Sequence, residues 1–165
     1  MCEVTAPAPR AITPVMLKWI DIPPMWLLLC AVLAWGQGQY APMGLSFGAG
    51  WALPVGTGLV ALGLVLLALA LLEFVRRRTT PIPHMEASAL ITSGIFRVSR
   101  NPIYLGDILI LAGLILRWDA VLSLPLIPLL IWIIEFRFIR AEELRLERAF
   151  GDAFLRYRAQ TRRWL

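Results

Sequence analysis

From residue 51 to residue 72 the chain carries no charged side chain. This run, WALPVGTGLVALGLVLLALALL, can cross the hydrocarbon core of a bilayer as one helix, which takes about 20 apolar residues. Three further apolar stretches accompany it. They are 25–35, which extends through uncharged residues to Tyr40; 103–116, interrupted only by Asp107; and 120–134, which continues as a helical pattern past Glu135. A chain of 165 residues that is 59% hydrophobic and 16% charged is more apolar than a soluble domain of its size needs. The fold class expected is therefore all-α: an integral membrane bundle of about four transmembrane helices with a C-terminal amphipathic helix, forming one domain over 1–165. Residues 1–75 would supply the N-terminal helices and 76–165 the functional region. Only Arg117, Trp118 and Asp119 separate the third and fourth stretches, which predicts a tight antiparallel hairpin. Pro125 and Pro128 predict a kink in the fourth helix, which a membrane bundle can accommodate.

Charge placement predicts the orientation. Residues 76–100 hold five arginines against Glu86, and residues 135–165 hold eight arginines against five acids. The 36–50 connection has no charge, and the 117–119 turn has one of each sign. Positive charge favours the cytoplasmic side, so both termini and the 76–101 loop are expected there, in a multi-pass protein. The first twenty residues, with Glu3, Arg10, Lys18 and three prolines, do not read as a signal peptide. The net charge of +5 speaks of orientation and anionic lipid rather than nucleic acid. Cys2 and Cys30 lie far apart, and His84 is the only histidine, which argues against a disulfide or a zinc site. In the tail, Ile139, Leu146, Phe150, Phe154 and Tyr157 recur at helical spacing as one apolar stripe. Such a stripe either lies along the membrane surface or packs on the protein's own core.

The chemistry gathers on the arginine-rich side. In SRNPIYLGD (99–107), Asn101 followed by Pro102 reads as a capped helix start. The free N–H groups of such a start suit an anionic group, and Arg100 adds a full charge. The loop 79–100 is long for a connector, and its ALITSGIF segment is too apolar to be solvated, so it should pack at the interface. Glu142 and Glu143 are either a solvated pair beside Arg137 and Arg140 or hydrogen-bond acceptors in a site. Asp107 is a functional candidate because it is an acid inside an apolar segment, although it lies near enough to the helix start to reach headgroups.

Four of these segments follow a familiar order. Leu90-Ile91-Thr92-Ser93-Gly94-Ile95-Phe96, then Arg100-Asn101-Pro102-Ile103-Tyr104-Leu105-Gly106, then Glu142-Glu143, then Phe150-Gly151 with Phe154 and Tyr157, resemble the signature of the isoprenylcysteine carboxyl methyltransferases. The related phospholipid methyltransferases share much of that pattern. The resemblance covers roughly residues 79–164 and implies an integral membrane enzyme that uses S-adenosylmethionine. It implies a cofactor pocket lined by Ser88, Ala89, Leu90, Ile91, Phe96, Asn101, Pro102, Ile103, Tyr104 and Glu142, with Arg100 and Glu143 beside it. It also implies that Arg137 or Arg140 faces an acidic group of the substrate, in the catalytic region. Two departures stand out: the family's His before Pro is Asn101 here, and the His at the start of its loop motif is Ser88. Neither replacement can titrate near neutral pH.

The function expected is methyl transfer from S-adenosylmethionine to a lipophilic substrate entering from the bilayer, such as an isoprenylcysteine carboxylate or a phospholipid. Its partners would be that substrate and membrane lipids, without nucleic acid or metal. Two alternatives stay open: a membrane reductase of the sterol reductase type using NADPH, and a non-catalytic helical membrane protein.

Overall fold

The computed structural model describes residues 21–78 and 89–165. Among them every regular element is helical: α1 Pro23–Tyr40, α2 Ala49–Arg76, α3 Pro102–Arg117, α4 Leu126–Ile134, α5 Arg140–Phe150 and α6 Asp152–Gln160. Short 3-10 turns, Gly94–Arg97 and Val121–Ser123, precede α3 and α4, and a π-helical stretch, Glu135–Ile139, joins α4 to α5. Each apolar run of the sequence has become a helix.

Cross-contacts make the bundle up-down-up-down. The end of α1 meets the turn after α3, where Gln37 accepts from the Ser123 hydroxyl and the Phe47 N–H donates to Asp119 Oδ1 at 2.8 Å. At the opposite end Arg137 grips Asp21, just before α1. The arginines at 76–78, 97, 100 and 137 therefore lie at one end, with Arg117 and Asp119 at the other.

α2 and α3 run antiparallel and nearly backbone to backbone. A Cβ placed on Gly113 would lie 2.5 Å from the Gly56 carbonyl oxygen, and one on Gly63 would lie 2.6 Å from that of Gly106. The two glycine pairs are seven residues apart on each helix, so they recur on one face and let the backbones touch. On its other side α3 builds the main core, in which Tyr104, Leu111 and Ile115 pack with Cys30, Ala34, Leu130, Ile134 and Phe138.

The outward faces are apolar: Leu28, Val32, Leu62, Leu64, Val65, Leu69 and Trp132 are all exposed. Two helices are long and apolar enough to cross a bilayer on their own, Gly50–Arg76 and Val121–Phe150, with mean hydropathies of 2.6 and 1.9. α1 and α3, with 18 and 16 residues, do not meet that standard.

Two local expectations change. Pro125 and Pro128 do not kink the fourth helix. Pro125 is the residue before its first turn and Pro128 lies within that turn, where no intrahelical N–H bond is lost. The irregularity falls instead at the π stretch. The tail stripe turns inward: Phe154 is 1% and Tyr157 8% exposed, and the helix breaks at Gly151, whose φ of +49° favours glycine. Burial against the protein thus holds for Ile139, Phe154 and Tyr157, while Leu146 and Phe150 stay half-buried.

Gly113→Ala should cost about 1–3 kcal/mol, because its methyl meets rigid backbone. Gly36→Ala, with nothing within 4 Å of the added carbon, should be neutral or slightly stabilising. Thermal unfolding of the two variants in detergent compares them directly.

Candidate functional site

Asn101 precedes Pro102 at the start of α3, but its side chain makes no cap hydrogen bond. Its amide donates to the Arg163 carbonyl oxygen at 3.0 Å, and the Ser99 hydroxyl donates to the same oxygen at 3.3 Å. The Arg100 N–H donates to the Arg162 carbonyl. The helix start is therefore stitched to the C-terminal tail, a role that a backbone-directed amide serves and a titrating base is not needed for.

The two adjacent glutamates do different work. Glu143 accepts from Arg163 Nη2 at 2.7 Å and from Nε at 3.2 Å, while Arg163 Nη1 donates to Glu135 at 2.7 Å. Arg100 Nη1 lies 3.0 Å from Glu143 but off the line of a hydrogen bond. Neither it nor Nε of Arg100 has a hydrogen-bond partner among the described residues, and both atoms are buried. Burial pulls the Arg100 guanidinium below its ordinary value, with Glu143 pulling the other way. Hydrogen bonding to Glu143 holds Arg163 above its own. Glu142, one residue earlier, turns to α3 and accepts from the Tyr104 hydroxyl at 3.0 Å.

The loop before α3 forms an apolar wall. Ile91 and Phe96 are buried against Ala70, with Phe74, Ile95 and Ile103 packed around them. Ala89 and Leu90 are half-buried. Glu73, near the end of α2 and 7% exposed, accepts from the Ser93 hydroxyl at 2.8 Å and pairs with Arg76. Gly94, at a φ of +58°, leaves no room for a Cβ beside the Glu73 carboxylate. From the tail, the Tyr157 hydroxyl donates to the Phe96 carbonyl at 2.7 Å, and burial pushes its phenol up to about 12, so it stays a donor.

Among the residues singled out from sequence, Asn101, Pro102, Ile103, Tyr104, Phe96, Ile91, Arg100, Glu142 and Glu143 gather around the start of α3. Ser88 and His84 lie outside the described residues. Arg137 is exposed and held by Asp21 at 2.8 Å, with its guanidinium over the Trp26 ring. Arg140 stacks over Phe136 and lines an open cleft of about 340 Å³ with Glu143, Leu144, Glu147, Arg158 and Arg163. Arg163, Glu135 and Glu73 had no motif to announce them; their partners lie 20 to 28 residues away in sequence.

A helical bundle with an apolar outer surface and a polar, arginine-rich site at one end is the frame of a membrane enzyme. Residues 51–153, from α2 into α6, match the phospholipid methyltransferase family, and the chain belongs to it. No curated protein and no solved structure matches the chain. The family makes this a membrane protein and a methyltransferase acting on a lipid-like substrate, which favours methyl transfer over the reductase and non-catalytic alternatives.

Glu143→Gln should lower thermal stability without ligand by on the order of 2–4 kcal/mol, because Arg100 and Arg163 lose their shared counter-charge. Glu142→Gln should leave it nearly unchanged, since the amide oxygen still accepts from Tyr104. Unfolding midpoints that move equally in the two variants would contradict this division.

Proposed function

We propose that the protein transfers a methyl group from S-adenosylmethionine to a lipophilic acceptor, phospholipid-like or isoprenylcysteine carboxylate-like, that enters from the bilayer. The observation that carries this reading is the pairing of opposite, incompletely used groups at the start of α3. Arg100 has two buried nitrogen atoms without hydrogen-bond partners among the described residues, and Glu142 spends one carboxylate oxygen on Tyr104.

These residues fit the donor. Arg100 offers N–H groups to its carboxylate, Glu142 offers oxygen to its hydroxyl or amino groups, and the wall of Ile91, Phe96 and Ile103 offers an apolar surface. S-adenosylmethionine, when bound, supplies a methyl group activated by an adjacent sulfonium. The chain's own part is to hold donor and acceptor in line and keep water out. Ile91, Phe96 and Pro102 exclude water, while the Arg163 and Tyr157 tethers keep the loop closed over α3. Arg140, free of ion pairs among the described residues and lining the cleft, is the better placed of the two arginines to meet an acidic headgroup. Arg137 holds α1 through Asp21.

All four helices α1 to α4 cross the bilayer in this reading. α1 and α3, short on their own, span through their packing on each other and on α4, and the site and both termini face the cytoplasm. The one-ended distribution of arginine supports that orientation.

Calorimetry tests the donor. S-adenosylhomocysteine should bind and NADPH should not. Glu142→Gln should weaken S-adenosylhomocysteine binding by about ten- to a hundredfold, the worth of a charge-assisted hydrogen bond of roughly 1.5–3 kcal/mol. Unaltered affinity would remove Glu142 from the site.

Cysteine labelling tests the topology. Val98→Cys should react only from the cytoplasm and Ser46→Cys only from outside, and the reverse pattern would invert the assignment.

A further inference from the structure

The face of α3 that carries Tyr104 also carries Asp107 and Leu111, at i+3 and i+7. Tyr104 and Leu111 belong to the core shared with Cys30 and Ala34 of α1 and with Ile134 and Phe138 beyond it. Asp107 faces the same interior and is 2% exposed. It lies about 7–8 Å below the start of α3, at 1.5 Å per residue. Its Oδ2 is buried with no hydrogen-bond partner, and no arginine or lysine pairs with it among the described residues. Helical side chains lean toward the helix N-terminus, so this carboxylate leans toward the Tyr104–Glu142 pair. The Tyr104 phenol is within its electrostatic reach.

Among the described residues the other inward-turned acids have partners: Glu73 has Ser93 and Arg76, Glu142 has Tyr104, and Glu135 and Glu143 have Arg163. A carboxylate withdrawn from water without a counter-charge costs several kcal/mol, so an acid left bare at this depth is either held as the neutral acid or ionised when a cation arrives from elsewhere. A metal ion is not the match, since no group of three His, Cys, Asp or Glu side chains is placed to hold one among the described residues. An alkyl-onium group is the match. Its charge is diffuse and its surface apolar, and it is drawn to an aromatic face with carboxylates nearby.

We propose that Asp107, with Tyr104 and Glu142, forms an onium site in the bundle interior, supplying the counter-charge for a sulfonium or an alkylammonium group. The inference rests on the methyl-transfer reading above, in which the sulfonium would come from the donor and an ammonium from the acceptor's headgroup. Asp107 would then set which cation enters and where it stops.

The test compares wild type and Asp107→Asn in nonionic detergent, by calorimetry with three probes: S-adenosylmethionine, S-adenosylhomocysteine, which differs in having a neutral thioether in place of the sulfonium, and dodecyltrimethylammonium. If the cation is the donor's, Asp107→Asn should weaken S-adenosylmethionine binding about tenfold or more and leave S-adenosylhomocysteine unchanged. If it is the acceptor's, only dodecyltrimethylammonium binding should fall by that factor. Removing a bare buried charge should leave thermal stability without ligand unchanged or raised. Asp107→Ser, with different packing, should repeat the pattern and covers the case in which the Asn variant folds poorly. Three unchanged affinities, or an equal loss of all three, would overturn the onium site while leaving the donor reading intact. A wild-type protein that binds none of the probes would overturn both.

Discussion

Glu143 accepts two N–H groups from Arg163 and faces Arg100, so three segments far apart in sequence meet at one carboxylate. Backbone-directed bonds from Ser99, Arg100 and Asn101 tie the helix start to the tail, and Glu143 adds the first turn of α5 to them. The tail after α6 is irregular and short, and its backbone carbonyls at 162 and 163 are the acceptors that hold Arg100 and Asn101. Releasing the tail would therefore release the start of α3, and with it Tyr104 and the groups around it. Because the side chains of this network are mostly 11–34% exposed, they are shielded enough for the ion pairs to count and open enough to avoid the full desolvation penalty.

The π stretch Glu135–Ile139 decides which side chains reach that network. One wider turn shifts the helical phase, so the apolar face of α4 and the polar face of α5 are not continuous. Phe138 and Ile139 stay buried in the bundle core, and Glu135 is free to take the third N–H of Arg163. Two turns on, adjacent residues part: Glu142 turns to Tyr104 and Glu143 to the arginines. An irregular turn at this point in the longest apolar helix is a local departure that the packing of both halves sustains.

Much of the frame was legible in the sequence because it is a matter of period and length. Charge-free runs became helices, and the arginines did gather at one end; the hairpin formed, but α3 runs through Arg117 and the connection extends to Pro125 through a 3-10 turn. The Asn-Pro start of α3 was legible as a position but not as a mechanism. The Asn side chain is spent on a carbonyl sixty-two residues away, and no local pattern encodes such a pairing. Arg163 was one of several arginines in an amphipathic tail, and Glu73 one acid at the end of a long helix. Each acquires its role from a partner brought near by the fold. Pro125 and Pro128 misled for a related reason: a proline's effect depends on whether it falls before or inside the first turn, and that boundary is set by the 3-10 turn ahead of it.

The family match begins in α2 and ends at the start of α6, so it contains both partners of the Tyr104–Glu142 pair, Asp107, and Glu143, but neither α1 nor Arg163. The chemistry-bearing frame is thus α2 through α5, and the flanking parts close it from two directions. From one side α1 lends Cys30 and Ala34 to the core wall facing α3, and Asp21 and Trp26 anchor Arg137 at the arginine-rich end. From the other side the tail ties down the helix start. A lipid approaching from the bilayer meets exposed apolar side chains on α1, α2 and α4, whereas Tyr104 and Asp107 of α3 are buried. Access to the site is therefore a question of which pair of helices parts. The glycine seam brings α2 and α3 to backbone contact at two levels, while α1 comes that close at its C-terminal end, where a Cβ on Gly38 would lie 2.5 Å from the Trp118 carbonyl oxygen, and meets α4 and the rest of α3 through side chains.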